Sequence, residues 1–245
     1  MKVRLATASD LGAMTWILIG ASPLDPIYPY RFPDRHLYAD EFAELCRQKC
    51  AEYLATSTVV VCEMADPMGR SQVVAFSSWD TPRAFRAKPT GALEPLPRPS
   101  HNPVVPITIG HRDRMNVFRE ACVAAKRDMF DARYVHGHMF LKILLCHPEY
   151  QRRGAGRALT TWGIEEARRM RLNTTVFASP MGFELYKKLG FREVDRFRVQ
   201  LEGEEVFLDI PAMVLRPDEG YGRFLYPHQH LYGVGYESCT TIACS

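Results

Sequence analysis

The sequence predicts a mixed α/β fold built on one sheet, with a single parallel β-α-β unit at its heart. Three observations predict it. Residues 58–64 (TVVVCEM) and 72–79 (QVVAFSSW) are β-branched, apolar runs separated by the turn residues Asp66-Pro-Met-Gly-Arg70, the pattern of a hairpin. Residues 139–146 (MFLKILLC) are apolar apart from one lysine, as expected of a central strand covered on both faces. Helices and strands alternate regularly only in the middle of the chain, so only there is a parallel crossover required.

The elements follow in order. Residues 3–7 read as a short strand, and Ser9-Asp10 offer N-caps for a helix to about Ala21. Residues 22–33 hold four prolines and three aromatic residues and read as a loop. A helix is expected from about Asp34 to Leu54, ahead of the hairpin. Residues 82–107 carry seven of the 17 prolines and read as a long irregular insertion. A helix over about 111–131 follows, with Met115, Phe118, Ala121, Cys122, Ala125 and Phe130 at helical spacing. After the central strand, residues 151–157 open a helix to about Arg171. A strand over 174–178, a short helix over 181–189 stopped by Gly190, and strands near 194–201 and 206–214 complete the series. The expected organisation is one domain over 1–215, interrupted at 82–107, and a Tyr/Gly-rich extension over 216–245.

Composition narrows the function classes. Of 245 residues, 47% are hydrophobic and 24% charged, which excludes wholesale disorder. A net charge of +3 is too small for a polyanion-binding face, so no nucleic-acid partner is expected. No apolar run approaches the ~18 residues of a membrane span, and no apolar leader opens the chain, so no membrane partner is expected. The seven cysteines form no CxxC and no zinc spacing. Reduced thiols, no metal and a cytoplasmic location are expected, with a nuclear one left open. The chain is compatible with a homodimer.

The chemistry concentrates at 144–159 (LLCHPEYQRRGAGRAL). An apolar strand ends at Cys146, Pro148 fixes a turn, and Gln151, Arg152, Arg153, Gly154, Ala155, Gly156 and Arg157 lead into a helix. Glycines let backbone N–H groups approach an anion, and the helix N-terminus and three arginines add positive charge. The physical reading is a pyrophosphate cradle. It is not a Walker A loop, because Gly-Lys-Ser/Thr is absent. It is not the dinucleotide fingerprint, because the third glycine position is Leu159.

The pattern Gln/Arg-x-x-Gly-x-Gly/Ala resembles the acetyl-CoA signature of the GCN5-related N-acetyltransferase (GNAT) superfamily. A second stretch, 176–191 (VFASPMGFELYKKLGF), resembles that family's Leu-Tyr-x-x-Leu-Gly-Phe cofactor motif. The resemblance implies a mostly antiparallel sheet with a central splayed parallel strand pair and flanking helices. It implies acetyl-CoA as co-substrate, its pantetheine arm along the backbone of Leu144, Leu145 and Cys146, and its pyrophosphate on the 152–157 loop. Ser179 would touch the cofactor or cap the following helix. Tyr186 matches the tyrosine that many members use as general acid, protonating the departing thiolate after direct attack by an amine.

The general base departs from the family's patterns. Histone-modifying members place a glutamate where this chain has Phe140, and serotonin-type members place histidines at the positions of Phe140 and Lys142. His138 lies on the face of Phe140 and is the candidate base. A satisfied structural histidine and a water chain are the competing readings. Tyr28, Tyr30 and Phe32, with Asp25, Asp34 and Asp40 nearby, suit a cationic or aromatic amine in the acceptor region. The expected activity is acetyl transfer to the primary amine of a small molecule. A protein or peptide acetyltransferase and a non-catalytic acyl-CoA-binding module are the alternatives.

Overall fold

The structure is a computed structural model that describes residues 1–65, 68–82 and 110–218. In chain order the elements are β1 (Lys2–Leu5), α1 (Leu11–Ala21), α2 (Ile27–Arg31), α3 (Ala39–Thr56), β2 (Thr58–Ala65) and β3 (Ser71–Asp80). Then come α4 (Arg112–Ala125), β4 (His138–Cys146), α5 (Ala155–Arg169), β5 (Asn173–Phe177), α6 (Pro180–Lys188), β6 (Arg192–Gln200) and β7 (Phe207–Leu215). The insertion expected at 82–107 lies outside the described residues from residue 83 on, and the 216–245 extension from residue 219 on.

The strands form one seven-stranded sheet in the order β1-β2-β3-β4-β5-β7-β6. Every pairing is antiparallel except β4 with β5. That single parallel pair is joined by the crossover β4-α5-β5, whose helix carries the chain back to the starting end of the sheet. At the β1 end, Arg4 donates to both Asp10 oxygens at 2.8 and 2.9 Å and to Glu63 at 2.6 Å. One guanidinium thus ties β1 to the start of α1 and to β2.

Side-chain alternation sorts the core into two layers. Val60, Ala75, Trp79, Met139, Leu141, Val176 and Met213 face α5 and α6, where Leu159, Ile164, Ala167 and Leu189 meet them. Val59, Val61, Phe76 and Leu145 face α1 and α3. On the same side, α4 and the π-helical turn Lys126–Asp131 cover β5, β6 and β7 through Phe118, Phe130, Phe177, Val199 and Ala212. A β-bulge in the β3–β4 pairing, where Ser78 opposes Ile143 but Trp79 opposes Leu141, lets Leu144 and Cys146 turn toward α5.

The proline-rich 22–33 stretch differs from its expectation as a loop, because it contains α2. Pro26 sits at the N-cap and Pro29 in the first turn, where backbone N–H groups have no helical partner to lose. The helix expected from Asp34 begins instead at Ala39, after a run of turns.

Candidate functional site

The parallel pair holds only from His138↔Asn173 to Leu141↔Val176. Beyond it β4 continues to Cys146, paired with β3 alone, while β5 ends at Phe177. Among the described residues, Leu144, Leu145 and Cys146 therefore lie on a stretch of β4 with no strand partner on the β5 side. This opening faces the start of α5.

The loop leading into α5 is shaped by two left-handed residues, Arg152 (φ 63°) and Gly154 (φ 93°). Gly154 is the N-cap of α5, and only glycine adopts that conformation without strain. The Gln151 side-chain amide donates to the Cys146 carbonyl at 3.2 Å, tying the loop back to the open strand. Gly156 lies against Leu144 and Leu185, so α5 begins close to both β4 and α6. Arg152, Arg153 and Arg157 are exposed, and among the described residues none is ion-paired; Arg153 lies over the Tyr150 ring at 5.1 Å. Uncompensated cations beside a helix N-terminus suit a multiply charged anion.

Ser179 ends the β5 segment at the N-cap of α6. Its carbonyl accepts the Gly182 and Phe183 N–H groups at 3.0 Å each. Its side chain makes no capping bond and engages the Asp25 carboxyl instead. Tyr186 is 5% exposed on α6, with its ring 5.6 Å from Phe191 and in the space that Gly182 leaves for it. Burial first, then the charge of Asp25, push its phenol above the ordinary tyrosine range. Asp25 is itself held above the usual carboxylate range by burial, against the pull of the Ile27 N–H and Arg31. Asp25, Ser179 and Tyr186 thus meet at the open end of the sheet although they come from three elements.

His138 lies on the other face of the sheet from Tyr186. Nδ1 is 2.6 Å from Thr175 Oγ1 and Nε2 is 2.8 Å from Asp131. Both ring nitrogens are engaged, and Phe130, Tyr134 and Phe140 surround the ring. Burial holds His138 below the ordinary histidine range, against the pull of Asp131. Asp131 stays below the usual carboxylate range because Lys126 and His138 outweigh its desolvation. The unfolded chain therefore binds a proton near pH ~6.5 that the folded chain resists. Stability contributed here is full above that pH and falls as pH drops below it, and Asp131 adds a second loss below pH ~4. His138→Gln is expected to flatten the first slope and retain the second, measured as urea midpoints from pH 3 to 8.

Of the three aromatic candidates, Tyr28 and Phe32 share one cluster beneath Arg31, and Tyr30 lies in another. Tyr30 is buried among Val199 and Ile210, Phe32 meets Phe42 at 5.6 Å, and Tyr28 packs toward α3. His147 stacks on Trp16 at 3.6 Å and anchors α1 to the turn after β4. Two residues of the site carried little sequence signal. Asp25 was one of three acidic residues near an aromatic stretch, and nothing local marked it above the others. Arg31 is a single arginine among prolines, yet it lies over three rings.

Comparison with known proteins agrees with this geometry. A family model described as an acetyltransferase (GNAT) domain matches residues 115–193, from α4 into β6. A protein of Stachybotrys chartarum named acetyltransferase is 28% identical over 218 residues, spanning 83% of this chain and 85% of that protein. Among solved structures, a Corynebacterium glutamicum protein described as histone acetyltransferase HPA2 and related acetyltransferase superposes with a TM-score of 0.53. It is 18% identical and covers 87% of this chain and 94% of its own. PH1933 of Pyrococcus horikoshii gives a TM-score of 0.50 at 11% identity, covering 88% and 98%. These two structures share the fold. The match over residues 115–193 spans the opened β4–β5 pair and both motifs, so this part of the chain is similar to acetyltransferase domains of the GCN5-related N-acetyltransferase superfamily.

Proposed function

We propose that this chain transfers acetyl from acetyl-CoA to the primary amine of a small molecule by direct attack. The observation that carries this reading is the parting of β4 from β5 after Leu141, opposite a glycine-shaped loop whose three arginines have no ion-pair partner among the described residues. The residues fit the co-substrate. The open edge of Leu144 to Cys146 would hold the pantetheine arm, and the N–H groups from Arg152 to Arg157 the pyrophosphate. Acetyl-CoA supplies an activated thioester carbonyl. Tyr186, kept protonated by its burial, would donate a proton to the departing sulfur. Phe140 offers no base, and His138 is committed to Asp131 and Thr175. Asp25, raised toward the working range and in electrostatic contact with Tyr186, is the group to accept the amine's proton.

The test is thiol release from acetyl-CoA by the purified chain across amino acids, arylalkylamines, polyamines, amino sugars and lysine peptides. Release that requires a small amine is expected, and release with peptides alone or with no acceptor at all would sink the proposal. Gly154→Val places a β-branched residue at φ 93°, where it meets no neighbour but strains the backbone. It is expected to raise the KM for acetyl-CoA at least ~10-fold, while the acceptor KM changes little.

A further inference from the structure

Resting on the proposed function, we infer that the acceptor carries an anionic group bound by Arg31, and so belongs to the amino acids or comparable zwitterionic amines. The aromatic loop was expected to offer its rings to a cationic ligand. Its rings are already taken by a cation of the chain itself. The Arg31 guanidinium carbon lies 5.0 Å from the Tyr28 ring centroid, 5.1 Å from Phe32 and 4.6 Å from Phe118. A second cation bound against these faces would meet a like charge.

Arg31 is half-buried and carries five N–H donors. Its hydrogen bond to the chain is from Nε to the Ile27 carbonyl at 3.3 Å, one turn back on its own helix. Among the described residues no carboxylate lies within ion-pair distance of it. Other arginines are supplied: Arg114 has Glu204 at 2.7 Å, and Arg4 has Asp10 and Glu63. The one carboxyl group that feels Arg31 among the described residues is Asp25, which is not paired with it. The groups that feel Arg31 from α2, α3 and α4 are Tyr28, Cys46, Tyr53 and Cys122. Burial keeps all four neutral, pushing the Cys46 thiol up to about 12 and the Cys122 thiol up to about 11. A half-buried cation against apolar rings is complemented by a carboxylate, which a guanidinium binds through two parallel donors.

The position suits an acceptor. Asp25 feels the charge of Arg31 but is not paired with it. Its oxygen accepts from the Ile27 N–H at 3.1 Å, and Ser179 engages the same carboxyl. Asp25 in turn acts on Tyr186. A negative group nearest the reaction and a positive group farther along α2 are the reverse of an ammonium and a carboxylate. The amine of a zwitterion would point at Asp25 and the open sheet, and its carboxylate at Arg31.

The test uses the full chain with coenzyme A present and measures binding by calorimetry. Amino acids are paired with their decarboxylated amines: phenylalanine with phenethylamine, tryptophan with tryptamine, histidine with histamine, leucine with isoamylamine, and the remaining amino acids alone. At least one amino acid is expected to bind ~10-fold or more tightly than its amine or, where unpaired, than its own methyl ester. Arg31→Met, which keeps the packing over the rings, is expected to weaken that amino acid ~10- to 100-fold and leave coenzyme A affinity unchanged. Arg31→Lys is expected to recover part of the loss. The inference is overturned if no amino acid binds, if the decarboxylated amines bind as well, or if Arg31→Met keeps the preference. Thiol release is followed in parallel. A carboxylate preference in binding with no thiol release would remove the transferase reading and leave this one. Thiol release that favours the decarboxylated amines would do the opposite.

Discussion

Gly163→Ala is expected to cost the folded protein ~2 kcal/mol net, lowering the melting temperature by roughly 4–8 °C. A β-carbon built at Gly163 on α5 would lie 2.1 Å from Trp79 Cζ2 and 2.2 Å from Cη2. The ring cannot easily give way. Trp79 is fully buried on β3, and its indole N–H donates to Ser77 Oγ at 2.9 Å. The helix must therefore lift, at a cost near the top of the ~1–3 kcal/mol range for overpacked cores. The higher helix propensity of alanine offsets ~1 kcal/mol of it. Urea titration should show a lower midpoint with an unchanged slope. Trp79→Phe should be destabilising alone, yet the double variant should be more stable than the two losses added together. Additive losses would show that the helix and the ring do not press on one another.

Tyr186→Phe is expected to lower kcat ~100-fold and leave the KM for acetyl-CoA and the stability nearly unchanged. The substitution keeps the ring that packs beside Phe191 and removes only the hydroxyl. Loss of a positioned proton donor costs ~10²- to 10⁴-fold, and the lower figure allows for water taking over part of the transfer. The pH profile carries the sign. Burial and Asp25 raise the phenol, so it stays protonated through the alkaline assay range and imposes no decline below pH ~10. Asp25, raised by burial, should put the acid limb above the ordinary carboxylate value of ~3.9. Asp25→Asn should remove that limb along with most of the rate. A Tyr186→Phe enzyme as fast as wild type at every pH would take the tyrosine out of the chemistry.

How much of this was legible from the chain alone differs by segment. Most elements lie within a few residues of their expected ends, because caps, prolines and β-branched runs are local signals. The 22–33 stretch misled for a local reason too. Four prolines suggest a loop, yet two of them occupy helix-start positions where proline loses nothing. The face shared by His138 and Phe140 followed from strand alternation, but the partners of His138 did not. Asp131 comes from a π-helical turn and Thr175 from the next parallel strand, and no spacing announces either.

By itself, the sequence determined the two motifs, the glycine loop before α5 and the strand-helix order around them. Those features depend on contiguous residues: a glycine at a left-handed N-cap, a helix start, a strand run. Tertiary structure alone decided which groups face one another across long separations. It closed Arg31 over rings from α2 and α4, set Asp25 against Ser179, sealed His138 behind Asp131, and pressed Gly163 onto Trp79. Pairings of that kind arise from burial and close packing, which act on distance in space and leave no period in the chain.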